Sequence, residues 1–249
     1  MRYPPIPNLL FQKNRKHFSA AMESNSIAIL CSNDIQHTNA DDSMGFAQNN
    51  DLFYLSGIDQ EETILVLYPD AYKEENKEIL FIKKTDEQIK TWEGQKLDKK
   101  TAGEVSGIKR IEWLDDFEKL LQYMAFDADS FYLGHNEHIK RLTIDQQTRQ
   151  DRMISWCRQK YPLHTYHRAA KITRSLRQIK DREEVRLIQK AADISLNGFH
   201  KVLQSIRPGM KEYELEAELS YIFIKNGATR HAFKPIVASG QNACALHYN

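Results

Sequence analysis

The stretch that decides the fold is Phe233-Lys-Pro-Ile-Val-Ala-Ser-Gly-Gln-Asn-Ala-Cys-Ala-Leu-His-Tyr-Asn249, at the end of the 249-residue sequence. Ile236 and Val237 predict a strand, and Ser239-Gly-Gln-Asn242 is typical of a tight turn. Ala243 to Leu246 predict a second strand that delivers His247 at its end. A chain that stops within a sheet leaves strand edges without partners, so we expect this domain to continue beyond the sequence given.

Two helices are predicted immediately upstream of this segment. Asp181 with Glu184 forms an N-terminal capping pattern, and the helix that follows would end before Pro208-Gly209. Its small or apolar residues recur at three- and four-residue steps, which predicts one stripe facing a core: Val185, Ile188, Ala192, Ser195, Phe199, Val202 and Ile206. A second helix is predicted from about Glu212 to Lys225, with Asn226-Gly227 as its stop.

The first part of the chain alternates strand-like and helix-like segments, which indicates an α/β layered structure. The strand candidates are Ile27 to Cys31, Ile64 to Tyr68, Ile79 to Ile82, Lys109 to Trp113 and Phe131 to Leu133. Helices are predicted at Leu114 to Met124 and at Ile144 to Lys160. The polar, basic stretch from His164 to Ser175 lacks strong periodicity, so we expect a domain boundary there.

Ten segments spread along the chain carry a resemblance to a known family: Phe46-Ala-Gln-Asn-Asn-Asp51, Phe53-Tyr-Leu-Ser-Gly57, Glu62-Thr-Ile-Leu-Val-Leu67, Ile179-Lys-Asp-Arg-Glu-Glu184, Ala191-Ala192, Arg207-Pro-Gly-Met210, Tyr213-Glu-Leu-Glu216, Asn226-Gly-Ala228, Ile236-Val-Ala-Ser-Gly240 and Leu246-His-Tyr248. With these segments, the chain resembles the aminopeptidase P (Xaa-Pro aminopeptidase) family of proline-specific metallopeptidases. The resemblance covers nearly the whole chain. It implies an N-terminal mixed-sheet domain at 1–170. It also implies a truncated start of a pita-bread metallopeptidase domain at 171–249, made of its first helices and strands.

The resemblance also implies an activity for the complete protein: metal-dependent removal of an N-terminal residue that precedes proline. Such enzymes hold two divalent metal ions, commonly manganese, with two aspartates, one histidine and two glutamates that follow the Leu-His-Tyr segment. No residue of this chain matches that set, so we expect the chain alone to be inactive. A prolidase, a creatinase-like hydrolase and a non-catalytic peptidase-like binding module remain open as alternatives.

Two residues are candidates for the site. The resemblance implies that His247 faces the substrate near the scissile carbonyl, where an imidazole can donate to the developing oxyanion or pass a proton to the leaving amine. Thr91-Trp92-Glu93-Gly94 resembles a Trp-x-Gly region that reaches the active site of another subunit in that family. Trp92 is therefore a candidate for substrate binding, and a homo-oligomer is expected.

The amino-acid composition bears on the partners and the cellular location of the protein. Lys plus Arg total 35 and Asp plus Glu total 34, so the chain has no excess of positive charge that would favour binding to nucleic acid. The partners that the resemblance implies are proline-containing peptides. Cys31, Cys157 and Cys244 form no Cys-x-x-Cys pair, which favours reduced thiols in the cytoplasm. We find no signal peptide and no segment that resembles a membrane-spanning helix, so no membrane partner is expected.

Several other motifs have an ordinary structural interpretation. The pairs His135/His138 and His164/His167 lack a third ligand at diagnostic spacing and are interpreted as surface or turn histidines. Lys13-Asn-Arg-Lys16 is interpreted as a basic helix face. Cys244 is predicted to be a small buried thiol rather than a nucleophile.

Overall fold

The computed structural model describes residues 5–137 and 147–248. Internal contacts divide them into a sheet unit, Ile6–Ile179, and a helical unit that begins at Lys180. The division predicted at residues 170 and 171 stays a prediction about domain organisation. By its contacts, the helix Ala169–Gln178 belongs to the sheet unit.

The sheet unit is built on six strands in the order β4-β3-β2-β1-β5-β6. Their bounds are Ser26–Cys31 (β1), Ile64–Leu67 (β2), Glu78–Ile82 (β3), Arg110–Trp113 (β4), Ser130–Leu133 (β5) and Thr165–Arg168 (β6). The pairs β1/β2 and β2/β3 are antiparallel, and the other neighbours are parallel. The five predicted strands and the mixed-sheet α/β class are confirmed, whereas β6 was missed.

Helices cover both faces of this sheet. They are Asn8–Ala20 (α1), Asn50–Ser56 (α2), Glu87–Glu93 (α3), Lys99–Ser106 (α4), Phe117–Asp127 (α5), Arg149–Lys160 (α6) and Ala169–Gln178 (α7). Alternate residues of β1 face opposite layers: Ile27 and Ile29 pack with α5 and α6, and Ala28 and Leu30 pack with α1, α2, α4 and α7. Burial on both faces explains why the central strands are almost continuously apolar.

The predicted helices of this unit are largely confirmed. A short 3-10 turn, Leu114–Asp116, leads into α5, and α6 accounts for the last 12 residues of the segment predicted at Ile144 to Lys160. The start of that segment lies outside the described residues. A capping box between Thr148 and Asp151 sets the first turn of α6.

The basic face predicted at Lys13 to Lys16 is wrong in its central part. Arg15 has no exposed surface and its Nη1 donates to the carbonyl oxygens of Leu55 at 2.8 Å and Ser106 at 2.9 Å. Its Nε lies 3.0 Å from Oε2 of Glu78 on β3. Burial lowers the pKa of Arg15, and the charge of Glu78 opposes that shift. Arg15 is therefore an internal tie between α1, α2, α4 and the sheet.

The helical unit contains α8 (Arg182–Ser205) and α9 (Glu212–Lys225), whose predicted bounds and Asp181/Glu184 capping box are confirmed. The two helices pack where Gly198 leaves room, because a Cβ there would lie 2.6 Å from Cδ1 of Leu219. The apolar stripe predicted on α8 is not buried within the described residues, so that prediction is wrong. Val185, Ile188, Phe199 and Ile206 are each more than half exposed, and the packed side of α8 is the neighbouring one that carries Gly198.

The two strands predicted near the end of the sequence are wrong. Residues 230–248, all described, contain no strand; Gly240–Cys244 is a 3-10 helix and His247 lies in the turn after it. A strand needs a neighbour for its ladder of hydrogen bonds, and no described segment pairs with this one. Cys244 is exposed, so its predicted burial is also wrong, whereas Cys31 and Cys157 are buried free thiols.

Burial raises the pKa of Cys31 and of Cys157 to about 12, which keeps both thiols protonated at neutral pH. None of the described helices is long and apolar enough to cross a bilayer.

Arg15→Met should lower the free energy of unfolding by about 2–5 kcal/mol, because two buried carbonyls lose their donor and the Glu78 carboxylate loses its cation. Urea unfolding followed by circular dichroism measures this. Lys16→Met removes the same charge from an exposed position on α1 and should change stability by no more than about 0.5 kcal/mol. Equal effects of the two variants would contradict the role given to Arg15.

Candidate functional site

The two predicted site residues lie in different units of the chain. Trp92 is on α3 of the sheet unit, and His247 follows the 3-10 helix of the helical unit.

Trp92 is held on a helix that is short and superficial. The side chain of Asp86 caps α3 by accepting from the Ile89 amide at 2.7 Å, and Gly94 follows the helix with a φ of 83°. Every residue of α3 is described and none is buried, and Trp92 itself is 82% exposed. Apolar packing therefore contributes little to holding this helix on the sheet unit.

An ion-pair bridge centred on Lys96 attaches α3 to the sheet unit. The Nζ of Lys96 lies 2.7 Å from Oε1 of Glu61 and 2.9 Å from Oε2 of Glu93. The side chains of Lys96 and Glu61 are only 16% and 11% exposed, so this pair is shielded from solvent. Glu93 is on α3, one residue after Trp92, whereas Glu61 precedes β2. Lys96 thus joins the helix that carries Trp92 to the loop before a central strand.

The pKa values around the bridge agree with this geometry. Burial alone lowers the pKa of Lys96, but the hydrogen bonds to Glu61 and Glu93 raise it above its ordinary value. The same bond to Lys96 lowers the pKa of Glu93. Both groups are consequently charged at neutral pH, which keeps the bridge intact.

Backbone hydrogen bonds support the bridge on either side. The Lys96 amide donates to Oγ1 of Thr85 at 3.2 Å, and the Leu97 amide donates to Oε1 of Gln60 at 2.8 Å. Thr85 precedes α3, so the two chain ends that flank the helix are tied together. The position of Trp92 therefore depends on polar contacts at the base of its helix.

His247 is exposed in a turn, and Glu212 organises the segment before it. The carboxylate of Glu212, the first residue of α9, accepts from the Ser239 amide at 2.6 Å and from Nδ2 of Asn242 at 3.1 Å. Asn242 also donates to the Tyr248 hydroxyl at 3.0 Å. The hydrogen bonds from Asn242 and Ser239 lower the pKa of Glu212, so its carboxylate is ionised at neutral pH. The Glu212 carboxylate therefore holds the segment that leads into the turn containing His247.

The other histidines form no metal site in the described part of the chain. Nδ1 of His135 lies 3.1 Å from Oδ1 of Asp151, and His138 lies outside the described residues. His164 lies in the turn before β6, as predicted, and its Nε2 is 2.9 Å from the Ala125 carbonyl. His167 lies on β6 and stacks on Tyr132, so its assignment to a surface or turn position is wrong. Across residues 5–137 and 147–248, no group of three or more His, Cys, Asp or Glu could hold a metal ion.

Sequence reasoning predicted Trp92 and His247 as site residues, which stays a prediction, and it missed the residues that hold their segments in place. No role was predicted for Lys96 from the sequence, and Glu212 was identified only as the start of a helix. A lysine three residues after a glutamate is a common surface pattern, so no sequence signal distinguishes the bridging Lys96. Its second partner, Glu61, becomes its neighbour only through the fold.

Two family models match the chain in succession. The model described as "Aminopeptidase P, N-terminal domain" matches residues 11–133, and that of metallopeptidase family M24 matches residues 186–249. The first covers most of the sheet unit, and the second begins within α8 of the helical unit.

Similar curated proteins include the Xaa-Pro aminopeptidase of Escherichia coli K12, 25% identical over 96% of this chain, and that of Haemophilus influenzae, 27% identical over 98%. The matched region is 54% of each relative, so the chain spans about half the length of the curated relatives it matches.

Solved structures give the same result. The Pseudomonas aeruginosa aminopeptidase PepP is 29% identical, with a TM-score of 0.83 over 98% of this chain and 55% of its own. The low-pH form of E. coli aminopeptidase P is 25% identical, with a TM-score of 0.85 over 98% and 56%. A zinc-substituted form of the E. coli protein in complex with product has a TM-score of 0.83 over the same shares.

Lys96→Met should loosen the helix that carries Trp92 without unfolding the sheet. Hydrogen exchange of amides 87–97 should quicken by about tenfold or more, while β1 and β2 stay protected, because α3 has no buried side chain to hold it. Lys90→Met is the matched control, since Lys90 lies on the same helix and is 4.0 Å from an exposed partner, Glu87. Unchanged exchange in α3, or equal loosening of the whole sheet, would refute the bridge.

Proposed function

Because this chain belongs to the aminopeptidase P family, we propose that the full-length protein is a metal-dependent aminopeptidase that releases the N-terminal residue preceding proline. The observation that carries the proposal is the succession of the two family models, at residues 11–133 and 186–249, over a fold shared with aminopeptidase P structures. The substrates are proposed to be peptides with proline in the second position. Such a bond is a tertiary amide without an N–H, and proline restricts the residue before it.

The metal requirement follows from the family and not from residues described here. M24 is a family of metallopeptidases, and a related structure is of a zinc-substituted enzyme. We propose that the full-length protein holds two divalent manganese ions. They would supply hydroxide at neutral pH and polarise the scissile carbonyl. The described residues contain no suitable cluster, so we assign no metal ligand to this chain.

His247 is proposed to act on the reacting amide. Its imidazole is exposed in a turn that Glu212 and Asn242 organise, so it is available to a substrate. From that position it would donate a hydrogen bond to the carbonyl oxygen as negative charge develops, or pass a proton to the leaving proline nitrogen.

Trp92 is proposed to contact the peptide in the active site of a second copy of this chain, in a homo-oligomer. Its exposed indole supplies rigid apolar area and one N–H donor, a combination that is enriched at binding hot spots. The free thiols Cys31, Cys157 and Cys244 support a reducing, cytoplasmic location, and the balanced charge argues against nucleic acid as a partner. A membrane partner is not part of the proposal.

The full-length protein should cleave peptides with proline in the second position, and His247→Ala should lower kcat by about 10²–10⁴-fold, the usual cost of losing a positioned proton donor. Chromatographic detection of the released amino acid measures the rate, and elemental analysis measures bound metal. The metal content should not change, because His247 is not proposed as a ligand.

Three controls make this test decisive. A chelator should abolish the activity and added manganese should restore it, and the 249-residue chain alone should be inactive. Loss of metal in His247→Ala would contradict the role given to this residue. Absence of X-Pro cleavage by the metal-loaded, folded full-length protein would contradict the proposed function itself.

Trp92→Ala in the full-length protein should raise KM by about tenfold or weaken subunit association while the fold stays intact. Steady-state kinetics and analytical ultracentrifugation measure the two effects. Tyr123→Ala is the matched control, since it removes another exposed aromatic side chain from the sheet unit. Identical KM and association for Trp92→Ala and the unmodified protein would remove Trp92 from the site.

A further inference from the structure

A cleft of about 510 Å³ opens at the ends of the parallel strands β5 and β6, within the sheet unit. Leu133 at the end of β5 and Ile154 on α6 supply apolar surface, and Tyr166 on β6 supplies an aromatic ring. Its volume falls in the range that small-molecule sites occupy, and the carboxyl ends of parallel strands are where such sites tend to form. The role proposed above for Trp92 and His247 uses none of its residues.

The aromatic wall of the cleft is fixed in place. The Tyr166 hydroxyl lies 2.7 Å from the Tyr161 carbonyl oxygen and 2.8 Å from that of Cys157. The Tyr166 ring stacks on Phe131, with the centroids 5.8 Å apart. A wall held by hydrogen bonding at one end and by stacking along its face is preformed, which lowers the ordering cost of binding a ligand.

Two arginines line the cleft: Arg168 pairs with a carboxylate, and Arg158 lies over an aromatic ring. Arg168 donates through Nε to Oε1 of Glu137 at 2.7 Å and through Nη2 to Oε2. The bond from Arg168 holds the pKa of Glu137 below its ordinary value, so Glu137 is ionised and pairs with Arg168. Nη2 of Arg174 lies 3.9 Å from the same carboxylate. The guanidinium carbon of Arg158 lies 5.7 Å from the Tyr166 ring centroid. Among residues 5–137 and 147–248, Arg158 has no carboxylate partner.

Within the described part of the chain, Arg158 is thus the lining arginine whose charge is available to an incoming anion. A guanidinium over an aromatic face uses its flat surface for that contact, while the N–H groups at its edge still match a planar carboxylate. The edge can bind two carboxylate oxygens at once, which gives direction as well as attraction. Leu133 and Ile154 then offer apolar surface to whatever group carries the carboxylate.

We propose that this cleft binds a small organic anion, a carboxylate on a flat apolar body, with the carboxylate on Arg158 and the body against Leu133 and Ile154. His135 also lines the cleft, and its Nδ1 is 3.1 Å from Asp151, which fixes the ring beside the ligand position. The described lining residues include no Ser, Thr or Cys, and the Tyr166 hydroxyl is engaged with two carbonyl oxygens, so the site is assigned to binding and not to catalysis.

Isothermal titration of the full chain with three probes tests the proposal. Benzoate should bind with a dissociation constant on the order of a few millimolar, as suits a ligand of so few atoms. Benzamide has the same shape without the charge, and inorganic phosphate has charge without the apolar body. Both should bind at least about tenfold more weakly, because each lacks one half of the recognition. Methyl resonances of Leu133 and Ile154 should shift with benzoate.

The matched variants are Arg158→Gln and Lys160→Gln, which remove one positive charge each from α6, the first in the cleft and the second on an exposed position outside it. Arg158→Gln should weaken benzoate binding by about tenfold or more, and Lys160→Gln should leave it unchanged. Equal binding of benzamide, unaltered affinity in Arg158→Gln, or methyl shifts located elsewhere would each overturn the site. If Arg158→Gln fails to fold, the methyl shifts of the unmodified chain decide.

Discussion

The sheet unit depends on one buried cation. Arg15 has no access to water, and its guanidinium bonds to carbonyl oxygens at the carboxyl ends of both α2 and α4 while it pairs with Glu78 on β3. Carbonyls in the last turn of a helix have no partner within the helix and carry the negative end of its dipole. A single cation that meets two such ends and a carboxylate fixes where both helices stop against the sheet. Electrostatic interactions, as well as apolar packing, therefore position the helices on that face of the sheet.

The sequence allowed the centre of the fold to be predicted, but not its edges. β1, β2, β3 and β5 are short apolar runs, and strands buried on both faces have that appearance whatever surrounds them. β6 reads Thr-Tyr-His-Arg and is half exposed, so its strand character comes from pairing with β5 and not from composition. The failure at Ile236 to Leu246 has the same origin, since strand propensity becomes a strand only where a neighbour completes the ladder.

The candidate site, too, could be predicted only in part from the sequence. The polar surroundings of Trp92 in the sequence are consistent with its observed exposure, and the capping box at Asp181 and Glu184 predicted where α8 begins. Lys96 and Glu212 were not predictable as organising residues, because Glu61 and Ser239 are brought close to them only by the tertiary structure. Trp92 and His247 each lie on an element with little buried surface, held by charged hydrogen bonds. Such elements belong to the low-stability end of a structure, where surfaces that meet ligands are commonly found.

The parallel pairing of β1 with β5 has a consequence for how the chain reaches this structure. Ser26 and Ser130, joined through their hydroxyls at 2.7 Å, are 104 residues apart in sequence. During ribosomal synthesis β1 can pair with β2 on one side as soon as β2 emerges, while its other edge waits for β5. Closing so long a loop costs entropy before any contact offsets it, which places this step among the slow, high-contact-order events of folding. Vectorial synthesis therefore leaves one edge of β1 open to misassociation until most of the sheet unit has been made.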